Sequence, residues 1–569
     1  VKLKRVSSLL SVPDRIGWRD HVIGAALGFT YLAWLVPTAR SLGFPRDEGV
    51  YFRAAVDYAR WWVMLFERGQ DALQQGAIDS LWSINHEHPA LMKTLFGVSW
   101  WFLHEKWHVF SDASTAFRLP GMAAAAMALW VTYLFGARAW NRRAGLIAAV
   151  LLALMPRVFF HAHLACFDVP ITAMWILCVY VHWRAQERRG IGWAITAGIV
   201  FGLALETKLN AWFLPAALVP HAFFVHRHAL WRGLKAGRLA LPSSLVSMAT
   251  LGPLVFFALW PYLWNDTLAR LQWYIEFHLH HDYYTIEFLG KNYFGPPSPK
   301  SYLPVMTMAT VPTVTLVLFC VGALDRAKVA ALRLYASIPA TLRRSDAVRP
   351  ARDPRETDLL LLLSFAVAIG PFFLPRTPIF GGTKHWMPAY PVLALLAGRG
   401  FDIVATAMRH ALPPVALPQL RAAEAALAAS VCVAPLAETA HSHPFGLSAY
   451  VPLVGGTAGG ADLGLNRQFW GFTTQSAAAE YLNDNAPHGA AVFIDDTTWD
   501  AWSHMQEEGR VRSDLRAVGA PHESTLSLVQ HELHMDAVDH TIWVALGTDA
   551  PVHVVSHDGV PIVSIYRRP

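Results

Sequence analysis

Apolar residues in this chain gather into runs close to the twenty residues that an α-helix needs to cross the hydrocarbon core of a bilayer. About eleven such runs occur, at 21–41, 115–137, 144–161, 168–184, 191–208, 210–226, 242–264, 302–324, 357–375, 386–405 and 419–438. Between the first two lies a longer segment, 42–114, with a different rhythm. Val50, Ala54, Met64 and Phe66 sit there among Tyr58, Trp61 and Trp62 and are interrupted by charges, a pattern that predicts an amphipathic helix lying in the membrane interface. A second interfacial helix is expected within SINHEHPALMKTLFGVSWWFLHE (83–105), with Pro89 near its first position.

After residue 440 the apolar runs become short and charge becomes frequent. AAVFID (490–495), TIWVAL (541–546), VHVVS (552–556) and VPIVSIY (560–566) read as strands. TTQSAAAEYLNDN (473–485) and STLSLVQHELHM (524–535) read as helices between them. The expected fold is a polytopic α-helical membrane protein over 1–440, with interfacial helices in its first external loop (42–114) and a small α/β domain over 441–569.

Charge placement orders these runs. Lys2, Lys4, Arg5, Arg15 and Arg19 precede the first run, which predicts a cytoplasmic N-terminus. No small-residue cleavage site stands out after that run, so it reads as a span and not a removed signal. Every even connection is basic: Arg138/Arg142/Arg143, Arg184/Arg188/Arg189, Arg227/Arg232/Lys235/Arg238, the long 325–356 segment, and Arg409/Arg421. The odd connections are acidic, mixed or histidine-bearing, as in RDEGVYF, HAHLACFD, ETKLN and PRTPIFGGTKHW, and are expected outside. An odd number of spans then leaves the C-terminal domain outside.

Composition agrees with this division. With 54% hydrophobic and only 15% charged residues and a mean hydropathy of +0.31, the composition argues against a water-soluble enzyme and excludes a disordered chain, a collagen and a coiled coil. The net charge of +6 is accounted for by the even connections, so no nucleic-acid partner is expected. The four cysteines, Cys166, Cys178, Cys320 and Cys432, form no CxxC pair and indicate neither a disulfide framework nor a zinc ribbon.

Candidate chemistry lies on the odd side. Asp47 and Glu48 follow the first span directly; acids also favour a helix's first turn through its dipole, so both readings stand. His86, Glu87, His88 and Pro89 open the second helical stretch. Lys208, Lys384 and His385, together with Arg118, Arg157 and Arg376, fall near external span ends, where an ionisable group is costly and calls for a functional account. Snorkelling toward headgroups is the structural alternative, strongest for Arg376. Asp168 either caps a helix before Pro170 or serves the site. His278-Leu-His-His-Asp282 reads as a solvated loop face before a metal site, and His531-Glu-Leu-His534 lacks the i, i+4 histidines of a zinc peptidase.

RDEGVYF, EHPAL, FRLPGMAAAAMALWVTYLFGARAWNRRAGLIAAVLLALMP, LACFDVPITAMW and GLALETKLNA occur here in the order seen in integral-membrane glycosyltransferases of the GT-C fold. The chain resembles the protein O-mannosyltransferases and the lipid A aminoarabinose transferases over most of 40–215, and GGTKHWMPAYPVLALLAG (381–398) extends the likeness. The resemblance implies an inverting transfer of a sugar from a polyprenyl-phosphate carrier to a hydroxyl of a protein, lipid or envelope glycan on the outer face. It puts Asp47 at the catalytic base position, with Glu48 orienting the loop or acceptor, and expects Asp168 as a second acid. Lys208, Lys384, His385 and His88 are the phosphate- or acceptor-binding candidates. Glu87 retains the acidic position that, in the aminoarabinose transferases, can help hold a divalent metal. Family members often carry Glu-Lys-Pro-Pro where this chain has Glu87-His88-Pro89-Ala90, so the phosphate role of His88 is open. The resemblance also points to a bacterial inner membrane. A lipid-linked oligosaccharide transferase of the same broad fold and a transporter or flippase without transferase activity are the alternatives.

Overall fold

A computed structural model describes residues 16–187, 190–238, 241–337, 353, 355–379, 381–413, 416–468, 470, 476–495 and 497–569. The basic arm at Lys2–Arg15, Arg188/Arg189 and half of the 325–356 segment (338–352 and 354) lie outside the described residues. The chain opens with α1 (Trp18–Thr38), followed by α2 (Arg46–Arg68), α3 (Gln75–Trp82) and α4 (Leu91–Trp100). Then come α5 (Ala113–Ala139), α6 (Arg142–Ala153), α7 (Pro156–Ala162), α8 (Asp168–Glu187) and α9 (Ile191–Leu205). They continue with α10 (Leu214–Lys235), α11 (Ser243–Leu259), α12 (Thr267–Leu279) and a short hairpin, β1 (Ile286–Phe288) and β2 (Lys291–Tyr293). The helical part closes with α13 (Tyr302–Thr310), α14 (Thr313–Ser337), α15 (Thr357–Ile369), α16 (Tyr390–Ala411) and α17 (Leu417–Ser442).

Each of the eleven apolar runs is helical. Among the described residues α1, α5, α16 and α17 are each long and apolar enough to cross a membrane, and the bent pairs α6–α7 and α13–α14 bring the number to six. α9, α11 and α15 are apolar but shorter. Exposure shows which of these helices meet an apolar solvent. Phe29 on α1 is 70% exposed and Val433 on α17 is 61% exposed, an arrangement that water would penalise and lipid does not. α8 is the opposite case: every residue from 168 to 184 except Leu177 is buried, so this helix, apolar all round, forms the core that the others enclose. The chain is an integral membrane protein, mostly helical, with several apolar spans.

The two ends of the bundle differ in kind. At one end ion pairs tie the even connections together: Arg142 to Asp20 at 2.7 Å, Arg143 to Glu424 at 2.7 Å, Arg399 to Asp402 at 2.8 Å and to Asp325 at 3.0 Å, and Arg138 to Glu187 at 3.3 Å. At the other end the odd connections converge on one cavity. Its wall is drawn from 46–51, 85–88, 167–168, 208–210, 277–285 and 371–388.

α2 is amphipathic as expected, burying Tyr51, Phe52, Ala55, Tyr58 and Ala59 on one face and exposing Arg53 and Arg60 on the other. α4 begins at Leu91 with Ala90 as its cap and so leaves Pro89 outside the helix; it widens into a π-turn over Trp101–Lys106. α3 was not expected. Its eight residues bury only Ile78 and Trp82, too short a stripe to stand out as a period.

The C-terminal part contains α18 (Gly456–Asp462), α19 (Ser476–Asn485), β3 (Ala491–Phe493), α20 (Trp499–Glu507) and β4 (Arg516–Val518). It ends with β5 (Leu526–Gln530), α21 (Asp536–Leu546), β6 (His553–His557) and β7 (Val560–Arg567). The five strands form one mixed sheet in the order β4-β3-β5-β7-β6, parallel from β4 to β5 and antiparallel from β5 to β6. Two expectations are reversed here. LSLVQ within 524–535 is the central strand β5 and not a helix, and TIWVAL is the end of helix α21 and not a strand. β5 is buried on both faces, so it lacks the alternation that marks a half-buried strand. In α21 the buried pair Ile542 and Leu546 sits four apart and packs on Val529 of β5, and a six-residue window shows only one such repeat.

This sheet domain is docked on the 42–114 segment. Arg510 donates to the carbonyls of Arg40 and Leu42 at 2.9 and 2.8 Å, Ser114 donates to Glu508 at 3.0 Å, and the Arg46 amide donates to the Trp470 carbonyl at 2.9 Å. Gly49 of α2 lies so close to α20 that a Cβ there would stand 2.4 Å from the Ala501 amide nitrogen, which is backbone and has no rotamer to change. Gly49→Ala is therefore expected to cost about 1–3 kcal/mol of docking as overpacking and to loosen the sheet domain from the bundle. Limited proteolysis checks this: the 441–569 fragment should be released faster than from the wild type.

Candidate active site

The cavity at the odd end has a volume of about 750 Å³. Asp47, Glu87, His88, Asp168, Lys208, Lys384 and His385 all line it. Glu48 does not reach it. One helical residue on from Asp47, the Glu48 side chain turns into the protein, is fully buried, and takes Arg118 in a two-pronged pair at 2.8 and 2.7 Å. It also accepts the Ala165 amide at 2.8 Å. Arg118 spends its remaining donors on the carbonyls of Ala39 and Gly43, both at 2.8 Å. These two residues join the end of α1, the start of α2, α5 and the 163–167 turn, and thereby fix where Asp47 points. Arg118, a phosphate candidate from its position near a span end, is fully committed to this knot. Arg157 is likewise buried away from the cavity, its guanidinium 5.4 Å from the Tyr450 ring centre.

The cavity holds two carboxylates in different states. Asp168, at the start of α8, accepts a 2.6 Å hydrogen bond from Lys208 and is 4% exposed. Asp47 is 29% exposed, and its neighbours Arg46 and Lys384 stand at 3.8 and 3.9 Å, beyond hydrogen-bond length. Lys384 is brought there by the turn at Gly381, whose φ of +70° requires a residue without a side chain and over which the Lys384 stem folds. Its ammonium lies 3.7 Å from the centre of the Trp470 ring, a cation–π contact from the C-terminal part. Burial lowers the Lys384 pKa, and the carboxylates of Asp47 and Asp168 offset that in part. Arg376 also lines the cavity, on its exposed rim. Asn210 holds His385 through its backbone carbonyl at 3.3 Å.

His88 packs against Phe167 and Tyr51, with ring centres 5.1 and 6.0 Å apart. Burial first, then the charges of Lys93 and Lys208, push its pKa well below the usual imidazole value, so at neutral pH it is a neutral donor or acceptor and not a cation. A phosphate role through charge does not fit it. Lys93, which sequence reasoning passed over, holds the turn that carries these residues: its ammonium donates to the carbonyls of Asn85 and His88, the latter at 2.9 Å. Burial brings the Lys93 pKa down to about 7. Its only trace in the sequence is a lone cation inside the apolar stretch ALMKTLF.

Glu87 accepts from Asn85 at 2.6 Å, and its carbonyl meets His278 Nε2 at 2.9 Å. Among the described residues, the groups of three metal-capable side chains are Glu287–Glu532–His534 and His441–His557–Asp558, and Glu87 is in neither. Glu532 and His534 border the cavity, where His534 Nδ1 pairs with Glu287 at 2.9 Å. The His531–His534 stretch thus reaches the cavity as part of the sheet domain, which a peptidase-motif test does not detect.

Residues 97–260 match the protein family described as dolichyl-phosphate-mannose-protein mannosyltransferase. The segment contains α5 to α11, with Asp168 and Lys208. Over that segment the chain is similar to membrane glycosyltransferases of the mannosyltransferase kind, the likeness that the order of its motifs implied. No curated protein matches the sequence. Among solved structures, ArnT from Cupriavidus metallidurans bound to undecaprenyl phosphate is 16% identical, with a TM-score of 0.44 and coverage of 97% of this chain and 98% of that one. The same protein in the apo state is 14% identical, with a TM-score of 0.45 over 96% of this chain and 98% of that one. The Archaeoglobus fulgidus oligosaccharyltransferase in its apo form is 12% identical, with a TM-score of 0.47 over 94% of this chain and 71% of that one.

Proposed function

We propose that the chain transfers one sugar, with inversion, from a polyprenyl-phosphate carrier to an acceptor hydroxyl on the extracytoplasmic side of a bacterial inner membrane. The observation that carries this reading is the contrast between the two cavity acids, one bonded tightly to a lysine and the other open at the mouth. Asp47 takes the proton of the acceptor hydroxyl as its oxygen forms the bond to the anomeric carbon. The bond from that carbon to the carrier phosphate breaks on the opposite side, and the phosphate leaves with the electron pair. Lys208 and Lys384, with Arg376 at the rim, offset the charge that develops on it. Glu48, through Arg118, positions Asp47; Asp168 holds Lys208 in place. The carrier's hydrocarbon tail stays in the bilayer beside the cavity, and alternating basic connections support eleven crossings with the N-terminus inside and the sheet domain outside.

The test is a proteoliposome assay with carrier-linked, labelled sugar. Label should leave the carrier and appear in covalent linkage to an added acceptor extract. Movement of intact carrier-linked sugar across the bilayer without transfer would instead make the protein a flippase.

Lys208→Met separates phosphate stabilisation from scaffolding. It removes a cation and leaves Asp168 uncompensated beside the leaving group, so kcat/KM should fall on the order of 10²-fold or more, the scale of one lost charge-stabilising donor. Adding Asp168→Asn should restore thermal stability but not the rate. Recovery of both would reduce Lys208 to a structural partner of Asp168.

A further inference from the structure

Outside the cavity lining, three metal-capable side chains come together from two parts of the chain. His441 lies in the last turn of α17, and His557 and Asp558 lie at the turn between β6 and β7. Their ligand atoms all fall within 4.8 Å of one another. His441 Nε2 is 2.7 Å from one Asp558 oxygen, and His557 Nε2 is 3.7 Å from the other. Donor atoms around a tetrahedral zinc ion stand about 3.3 Å apart for bonds of about 2.0–2.1 Å, so no pair needs to change its separation by more than about 1.5 Å for all three to share one ion.

Independent features of the surroundings point to a ligand. His557 is 93% buried by its 7% exposure, yet its Nε2, the atom turned toward the other two groups, has no hydrogen-bond partner. A buried ring nitrogen in that state is costly unless something occupies its lone pair or proton. The ring is also fixed, stacked on Phe445 with centres 5.0 Å apart. Asp558 is fixed too: it sits at φ +51° ahead of Gly559 at φ +77° in a tight Asp-Gly hairpin turn, and Thr457 donates to its carboxylate at 3.0 Å. Two imidazoles and a carboxylate, one of them oriented by a neighbouring hydroxyl, form a donor set for a borderline divalent ion.

We infer that His441, His557 and Asp558 bind a divalent cation of the zinc class, with a fourth position open to solvent, and that the ion fastens the last membrane helix to the sheet domain. Sugar transfer does not enter into this inference; it would stand if the proposed reaction were wrong. The ligands are one exposed histidine from the helix and a buried histidine and aspartate from the hairpin, so loading joins elements 116 or more positions apart in the chain.

The experiment uses the full-length protein in detergent, stripped with a chelator, then titrated with Zn²⁺ against a chromophoric competitor and, separately, with Co²⁺ followed by visible absorption. Wild-type protein should bind one more equivalent of Zn²⁺ than His557→Ala or Asp558→Asn, and Co²⁺ should give the intense band of a four- or five-coordinate site. His441→Ala, a change at an exposed position that leaves the fold intact, should weaken that equivalent at least tenfold. Thr457→Val should weaken it by about 10–100-fold through the lost orientation of Asp558. His534→Ala, which touches the other cluster, should leave it in place. Equal Zn²⁺ stoichiometry and affinity in wild type, His557→Ala and Asp558→Asn would overturn the inference.

Discussion

Asp47→Asn is expected to yield a protein that inserts, folds and binds the carrier as the wild type does, while transfer falls by about 10²–10⁴-fold, the range a positioned general base supplies. Asparagine keeps the shape and the first-turn position on α2, so the cavity wall is preserved. It cannot accept the hydroxyl proton. The effect should therefore appear in kcat, with the carrier's Kd unchanged, in the same proteoliposome assay. Asp47→Glu should recover part of the rate, since the base is retained but displaced by one methylene. If Asp47→Asn turns over at the wild-type rate, Asp47 is not the base, and the helix-dipole account of this acid is sufficient.

The second large effect concerns stability. Glu48→Gln leaves the fully buried Arg118 guanidinium without its counter-charge, and removal of one partner from a buried pair costs about 3–5 kcal/mol. Arg118→Lys should cost a similar amount, since a point charge cannot match both carboxylate oxygens and two loop carbonyls at once. Thermal unfolding in detergent measures both. The double variant Glu48→Gln/Arg118→Met should be less destabilised than the sum of the single changes, which a double-mutant cycle quantifies. Activity should fall in each variant because Asp47 loses its support, but unlike Asp47→Asn these proteins should also unfold earlier. A Glu48→Gln protein with wild-type stability would show that the pair is not what holds the loop.

These contrasts show what the sequence could and could not convey. The helical bundle was legible because a span announces itself locally, through twenty apolar residues, and because basic and acidic connections alternate. Asp47, Asp168, Lys208 and Lys384 could be singled out because each is an ionisable residue at a span end, and in the structure all four border one cavity. Arg118 and Glu48 answer to that same description, yet both face inward. Only the partner, 70 residues away, distinguishes a cation paired in the core from one facing a phosphate. Trp470 under Lys384 and Arg510 on the Arg40 and Leu42 carbonyls were out of reach for the same reason, with separations of 86 residues in the first case and 470 and 468 in the second, and no motif. The sheet domain was legible in class but not in detail: β5 and α21 exchanged places because a short apolar run buried on both sides carries no period.

The clasp between the sheet domain and the first loop has a consequence for biosynthesis. Asp47 and Glu48 are made within the first tenth of the chain, and Arg118, the partner of Glu48 on α5, follows soon after. Trp470, Thr498 and Arg510, which hold the start of α2 from above, leave the ribosome only near the end. Domains acquire structure roughly in the order of their synthesis, so the membrane core can be complete while its cavity still lacks one wall. A chain that stops after residue 440 would then insert as a full bundle and remain inactive. Completion of the last domain, and not insertion of the last span, would mark the moment at which the enzyme begins to work.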